Sequence, residues 1–499
     1  MLEKIVVHKP NNIYFKIDCD PSQSMELKNY FSYYIPNYWF SPRFKNKVWD
    51  GKISSYNRQA QTLPIGLYPM LKHFCVHYGY ELVLDFDKTN MFNQIEDEDI
   101  QKFYETIFTD TKYYPRDYQA ETILKALKYK RGVIESPTGS GKSIVIYSII
   151  RFILGITEGK ILLIVPNVSL VNQMFNDFKD YGWTACESYT NILYSGKKPD
   201  WSKPILISTW QSVYKKTSSF FESFNAVIVD ETHGAKANSI KSVLEKCTGA
   251  DYRIGLTGTL PTEKSDIYTI YGYIGPKIYE ISSKELMDKG ILSKIKIANL
   301  LLQYSEDEIA TNKHRTYDEE VRFLVDHPKR NGVFKYIIDH INPEENVLIL
   351  CYLIDHLKSI KSYLEKIYPN KKIQEIYGEI DADKREQIRI GMENSKGVIL
   401  LGTYATMGIG INIKRLHHVI FASSYKSKIK ILQSIGRGLR THESKTKLIL
   451  WDIVDDLTYV KRTGTIGKNY VYEHFEQRLE YYKTQEFSYI NKNIIVKNL

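Results

Sequence analysis

Gly132-Val133-Ile134-Glu135, then Ser136-Pro137-Thr138-Gly139-Ser140-Gly141-Lys142-Ser143, then Ile144-Val145-Ile146 set an apolar run, a glycine-rich turn and a second apolar run end to end. The first run predicts a buried strand and the second an apolar helix. The turn therefore joins a strand's carboxyl end to a helix's amino end. Glycines there let the backbone wrap closely, with its N–H groups directed inward at the positive end of the helix. Such a turn is built to hold phosphate. Lys142 supplies a point charge for β and γ phosphates, and the Ser143 hydroxyl a ligand for Mg²⁺. Pro137, Thr138, Gly139, Ser140 and Gly141 complete the expected ATP-binding loop, in which Ser136 stands where the general pattern has glycine.

The same strand-then-helix grammar runs through most of the chain. Ile161–Val165, Ile205–Ser208, Ala226–Val229 and Arg253–Leu256 read as further buried parallel strands, each followed by a polar, helix-compatible stretch. After a transitional stretch at Ser282–Asp326 the grammar resumes at Val347–Leu350, Ile373–Ile376, Val398–Leu401, His418–Phe421 and Leu448–Trp451. The front is different: alternation at Ile13–Ile17 predicts a half-buried strand, and the acidic run Glu96–Asp99 a solvated linker or helix face. The expected fold class is α/β, two tandem parallel-sheet lobes preceded by a small α+β N-terminal domain. The expected divisions are residues 1–105, 106–285, 286–459 and a C-terminal helical extension, 460–499, with helical potential at Tyr472–Lys483.

Composition narrows the partners. Of 499 residues, 43% are hydrophobic and 25% charged, the balance of an ordinary globular protein. A formal charge of +10 favours polyanions, although an abundance of Lys, Ile, Asn and Tyr also follows from AT-rich codons. The five cysteines are scattered with no CxxC pair, against a disulfide framework or zinc site. The N-terminus does not read as a signal peptide, and Val145–Ile156, interrupted by Arg151, is too short to span a bilayer. A cytoplasmic protein with no membrane partner is expected.

Two more motifs carry chemistry. Asp230-Glu231-Thr232-His233 ends the apolar run Ala226–Val229, and acids at the carboxyl end of a parallel strand face the ligand crevice. Asp230 suits the Mg²⁺ shell, and Glu231 the orientation and deprotonation of water. In Gln433-Ser434-Ile435-Gly436-Arg437-Gly438-Leu439-Arg440, the two arginines lie three apart, on one face of a helix, where they can converge on one anion. Arginines brought to a γ phosphate stabilise transition-state charge.

These elements in this order resemble the superfamily-2 DExH helicases. Further stretches are similar to the family's motifs: Arg116-Asp117-Tyr118-Gln119, Val165-Pro166-Asn167-Val168-Ser169, Thr209-Trp210-Gln211, Leu256-Thr257-Gly258-Thr259, Tyr377-Gly378-Glu379 and Gly402–Asn412. The resemblance implies RecA-like lobes and catalysis by Lys142, Glu231, Arg437 and Arg440. It implies ATP contacts from Arg116, Gln119 and Gly408, and coupling by His233, Thr257, Thr259 and Gln433. It implies nucleic-acid contacts from Pro166, Asn167, Ser169, Thr209, Trp210, Gln211, Gly378 and Thr403, made to phosphates with little base reading. Phe40–Phe44 and Trp49–Ile53 resemble the front domain of a phage branch of that superfamily, as do Lys426–Lys428 and Trp451-Asp452. That likeness implies a monomeric ATP-dependent helicase on branched DNA (forks, Holliday junctions, displacement loops, R-loops) in recombination, repair and replication control, with RNA–DNA hybrids as further partners. Arg43, Lys45 and Lys52, interleaved with aromatic residues, suit phosphate contact beside base stacking, or else a solvated basic face. An RNA helicase and an ATP-gated annealing protein remain as alternatives.

Overall fold

The computed structural model of the chain describes residues 3–109, 111–194, 200–236, 238–407, 413–423, 435–436, 442–443 and 445–499. At the front, β1 (Lys4–His8) and β2 (Tyr14–Asp18) pair antiparallel, and β3 (Ser32–Tyr34) with β4 (Lys52–Ser54) makes a separate antiparallel ribbon. β5 (Thr62–Pro64) and β6 (Glu81–Leu84) complete a four-stranded sheet of order β5-β2-β1-β6. The alternation in β2 works as read: Phe15 and Ile17 are buried, Lys16 and Asp18 exposed. The acidic run opens the helix Asp97–Ile107, where carboxylates lie at the positive end of the helix dipole.

The next seven strands form one parallel sheet: β7 (Arg131–Glu135), β8 (Lys160–Val165), β9 (Thr190–Leu193), β10 (Ile205–Thr209), β11 (Phe224–Asp230), β12 (Tyr252–Thr257) and β13 (Lys277–Glu280). Their spatial order is β13-β7-β12-β11-β8-β10-β9. Alternate residues feed two cores. Ile161, Leu163 and Val165 pack on one face; Leu162 and Ile164 pack on the other. Burial on both faces is why these strands read as continuous apolar runs. The helix Lys142–Ile156 buries eight residues, one of them Ser148, whose hydroxyl bonds back to the Ile144 carbonyl (2.9 Å).

The front sheet is seated on this lobe. Gly66 lies so close to the helix Lys264–Tyr273 that a Cβ there would overlap the Tyr271 carbonyl oxygen. Tyr14 and Tyr273 share hydrogen bonds with each other (3.1 Å) and with Glu245 (3.1 and 2.7 Å). Arg131 donates to the Asn12 carbonyl at 2.8 Å.

A second parallel sheet contains β14 (Lys294–Gln303), β15 (Val347–Cys351), β16 (Ile373–Ile376), β17 (Ile399–Thr403), β18 (His418–Phe421) and β19 (Lys447–Asp456). After a short hairpin of β20 (Tyr459–Val460) and β21 (Ile466–Gly467), β22 (Ser488–Ile495) joins it, giving the order β16-β17-β15-β18-β19-β14-β22. Two stretches differ from their sequence reading. The transitional stretch holds β14, whose ten residues pair with β19 along their whole length. The tail holds the helix Tyr470–Thr484 and also an edge strand, β22, paired with β14. β22 is largely exposed, as an edge strand can be, so its polar sequence carries no buried-strand signature. The helix is fastened from inside: Arg478 makes a bidentate pair with Asp452 of β19 (2.8 and 2.9 Å), and the Tyr482 hydroxyl donates to the same carboxylate (2.8 Å).

The chain divides into two compact units, Met1–Pro137 with Gly141–Ile281, and Ser282–Leu499 with Thr138–Ser140. Among the described residues, no helix is long and apolar enough to cross a membrane.

Candidate nucleotide and nucleic-acid site

Strand order sorts the candidate residues of the first lobe. The carboxyl ends of β7, β12 and β11 lie side by side, and they lead into the loop Ser136–Ser143, the Thr257-Gly258-Thr259 turn and the Asp230-Glu231 pair. β8 and β10 come next, the first ending just before Pro166 and the second at Thr209. One edge of the sheet is thus split into a half holding the candidate nucleotide contacts and a half holding the candidate nucleic-acid contacts.

In the loop, Gly139 and Gly141 have φ of +90° and +84°, values that side chains with a Cβ rarely adopt. Gly141 also faces the Gln119 side-chain amide, which a Cβ would overlap. The expected adenine-reading glutamine therefore sits against the loop. Its carbonyl oxygen accepts the Arg116 backbone N–H at 2.8 Å, which fixes the amide's orientation at the start of the helix Asp117–Tyr129. Lys142 opens the helix that follows, with its ammonium 3.3 Å from the Ser136 carbonyl and 3.9 Å from Glu231.

Glu231 has a left-handed backbone (φ 54°) directly after β11. Such strain in a residue with a Cβ is stored where the surroundings over-determine it. The surroundings are visible here. Thr232 is fully buried and donates its hydroxyl toward the carbonyls of Val229 and Leu256 (2.9 and 3.0 Å). It fits only because Gly255 has no Cβ to meet it. His233 lies 3.3 Å from Glu231 and 3.1 Å from the Thr257 hydroxyl, and that hydroxyl donates to the Thr259 carbonyl at 3.0 Å. His233, Thr257 and Thr259 thus form one connected set.

The two acids are set apart electrostatically. Burial, and then the charge of Glu231, raises the Asp230 carboxyl above its usual range. Burial also pushes Glu231 upward, but the Lys142 ammonium and His233 outweigh it and hold Glu231 ionised. Glu231 Oε2 is buried with the His233 ring nitrogen 3.3 Å away, beside a lysine at the amino end of a helix. These donors and acceptors fit a triphosphate, a divalent cation and a water. Ser143 fits with one exchange: its hydroxyl lies 2.7 Å from the Tyr181 hydroxyl, a bond that metal ligation would replace.

In the other half, Asn167 caps the helix Val168–Asp180 by accepting the Leu170 N–H (3.0 Å), and Ser169 lies exposed in its first turn. The Thr209 hydroxyl is buried against Ser212 (3.0 Å), whereas Gln211 is exposed and Trp210 half-buried. In the second lobe Thr403 ends β17 with its hydroxyl 2.9 Å from that of Thr406, and Gly378 is exposed after β16. Arg43, Lys45 and Lys52 are exposed in the front segment. Gly408, Gln433, Arg437 and Arg440 lie outside the described residues, as do Lys426–Lys428.

Several residues in these networks have no motif to announce them. Tyr181 on Ser143 and Gly255 under Thr232 are two. A third group lies in the second lobe, where Arg330 is buried in a bidentate pair with Asp455 (2.7 and 2.8 Å). Its guanidinium also lies 3.3 Å from His356, whose other ring nitrogen is 2.9 Å from the Ser423 hydroxyl.

Known proteins share this organisation. The family described as "DNA helicase UvsW, N-terminal" matches residues 4–85, "Type III restriction enzyme, res subunit" residues 112–262, and "Helicase conserved C-terminal domain" residues 329–442. The ATP-dependent DNA helicase uvsW of Enterobacteria phage T4 is 32% identical, over 98% of this chain and 99% of that protein. The crystal structure of T4 UvsW superposes with a TM-score of 0.53 at 30% identity, covering 99% of this chain and 100% of that one. The DNA 3'-5' translocase XPB2 of Sulfurisphaera tokodaii is 26% identical over 67% of this chain and 80% of its own length. With likeness at this level along nearly the full length of both chains, the chain belongs to the UvsW family of superfamily-2 ATP-dependent DNA helicases.

Proposed function

We propose that this helicase uses ATP·Mg²⁺ to remodel branched DNA — forks, four-way junctions, displacement loops and R-loops — during recombination, repair and replication control, and that it acts as a monomer. The observation that carries the reading is the split sheet edge, with the Lys142–Glu231 cluster on β7, β12 and β11 and the candidate strand contacts on β8 and β10. Lys142 draws the β and γ phosphates, while Gln119 and Arg116 meet the adenine. Ser143 and Asp230 would hold Mg²⁺, which supplies positive charge against the phosphates. Glu231, kept ionised by Lys142, orients the attacking water and accepts its proton. Arg437 and Arg440 stabilise the charge of the transferring phosphoryl group. His233, through Thr257 and Thr259, reports the state of the nucleotide to the neighbouring strand ends, so the grip of Ser169, Thr209 and Thr403 on a DNA backbone changes with hydrolysis. Residues 1–105 form the domain that meets the branch, with Arg43, Lys45 and Lys52 on phosphates.

The test is strand separation and branch migration on fork, four-way and displacement-loop DNA, each with and without ATP, beside linear duplex. ATP-dependent processing of the branched substrates is expected. Equal action on linear duplex refutes the substrate reading, and stronger ATPase stimulation by structured RNA than by forked DNA refutes the choice of nucleic acid.

A further inference from the structure

Ser143, Tyr147 and Arg151 recur every four residues on the helix Lys142–Ile156 and so share one face. The carboxyl end of the helix Val168–Asp180 packs on that face. Phe178 and Tyr181 both meet the Tyr147 ring, with centroids 5.5 and 5.3 Å away, and Arg151 donates to the Tyr147 hydroxyl at 2.7 Å. Tyr113 closes on Tyr181 edge-on at 5.0 Å, and only 9% of Tyr181 is left exposed. The ring is therefore held on several sides. Its hydroxyl meets Ser143 Oγ at 2.7 Å.

Packing accounts for a buried ring at this position, but a Phe would pack as well, so the hydroxyl needs a reason of its own. A phenol is a far stronger acid than an aliphatic alcohol, which makes Tyr181 the donor and the Ser143 oxygen the acceptor. The accepted proton then occupies a lone pair that a divalent cation would need, since such cations are held through oxygen. Tyr181 is also the residue on which its helix ends, with its backbone N–H on the Asp177 carbonyl at 3.0 Å. Ser169, a candidate strand contact, lies exposed in the first turn of that same helix. The helix has 13 residues, which makes it a rod about 20 Å long. One end touches the candidate metal ligand and the other carries the candidate strand contact, all within the first lobe.

We propose that Tyr181 is a positioning residue: its hydroxyl competes with the divalent cation for the Ser143 oxygen, and the helix Val168–Asp180 passes the outcome of that competition to the strand contact at Ser169. This rests on the reading that Ser143 ligates Mg²⁺. It adds a second route from nucleotide to strand, beside the one through His233 and Thr257, and places it on a residue outside every motif.

The test titrates the full chain with a fluorescent ADP analogue, once in saturating Mg²⁺ and once in chelator. The ratio of the two affinities reports how well the site ligates the cation. Tyr181→Phe keeps the ring and is expected to raise that ratio about two- to tenfold, the worth of one hydrogen bond, with affinity in chelator unchanged. Damaged packing would lower the ratio instead, so the sign of the change separates competition from a merely structural role. Ser143→Ala lowers the ratio, and adding Tyr181→Phe to it has no further effect, because the contested oxygen is gone. A single-stranded oligonucleotide shifts the ratio in the parent and no longer shifts it in Tyr181→Phe. A Tyr181→Phe ratio below the parent's or within about 1.5-fold of it overturns the proposal. So does an oligonucleotide effect that is missing from the parent or persists in the variant. If Ser143→Ala leaves the ratio at the parent value, Ser143 is not the metal ligand, and the reading beneath the proposal falls with it. If Ser143→Ala lowers the ratio while Tyr181→Phe leaves it alone, that reading stands and only the role of Tyr181 is refuted.

Discussion

Removing the guanidinium of Arg478 should release the C-terminal helix and edge strand from the second lobe. Arg478 is 1% exposed and Asp452 wholly buried, and the pair sits between the helix Tyr470–Thr484 and β19. In Arg478→Ala the Asp452 carboxylate keeps the Tyr482 hydroxyl as a donor and loses the guanidinium counter-charge. Breaking a buried pair by deleting one partner costs about 3–5 kcal/mol, because the surviving charge stays desolvated. That corresponds to a roughly 10²- to 10⁴-fold larger opening constant. Hydrogen exchange followed by mass spectrometry reads this directly, since peptides from 470–484 and 488–495 would exchange faster by that factor while peptides from 205–209 in the first lobe would not. The triple change Arg478→Met, Asp452→Leu, Tyr482→Phe supplies the control. It removes both charges and the hydroxyl that would otherwise lack an acceptor, so protection should return to at least the parent level. The reasoning fails if Arg478→Ala accelerates the tail peptides less than tenfold, or accelerates the first-lobe peptides equally.

Three other perturbations test the remaining links. Glu231→Gln should reduce ATP turnover by about 10²- to 10⁴-fold while ATP affinity, read with a fluorescent analogue, changes little; turnover near the parent value removes Glu231 from the role of base. Burial, aided by the Arg330 cation, lowers His356 to about 3 in the folded chain, against ~6.5 when unfolded. Between those values only the unfolded chain takes up the proton, so this group's contribution is complete above pH 6.5 and is lost by about 1.4 kcal/mol per unit as the pH falls. The stability gap between parent and His356→Gln in denaturant titrations should therefore shrink from pH 7 to pH 5, and a constant gap contradicts the assignment. Gly66→Ala should loosen the front sheet by about 1–3 kcal/mol, since a Cβ must displace the Tyr271 carbonyl; unchanged proteolysis of the front segment at a fixed denaturant concentration would show that the seating is not tight.

Legibility followed locality. β8, β10, β11 and β15 were readable because both faces are buried, which makes each a continuous apolar run bounded by turns. β14 opens on alternating Lys and Ile and only then becomes a continuous apolar run, and it stands alone between helices without the repeating strand–turn–helix context that identified the others. β22 escaped because an edge strand needs no apolar face, and its Asn and Lys residues imitate a loop. The nucleotide loop was legible because its glycines, lysine and serine are consecutive. The Thr232–Gly255 fit, the Tyr181 bond to Ser143 and the Arg330–Asp455 pair were not, because each joins residues tens of positions apart whose types are individually ordinary.

By itself the sequence determined that this chain has parallel-sheet lobes and a turn shaped for phosphate, since both are written in consecutive residues and obey local sterics and periodicity. It determined the candidate residues too, as an ordered series of motifs. Only the tertiary structure decided which of them are neighbours. The chain visits β7, β8, β10, β11 and β12 in that sequence, yet the sheet sets β12 and β11 beside β7 and sends β8 and β10 to the far side. That permutation puts Lys142, Glu231, His233 and Thr257 in one cluster and Ser169 and Thr209 beside it. Strand order is a contest among non-local pairings settled by how whole faces pack, which no short stretch of sequence records.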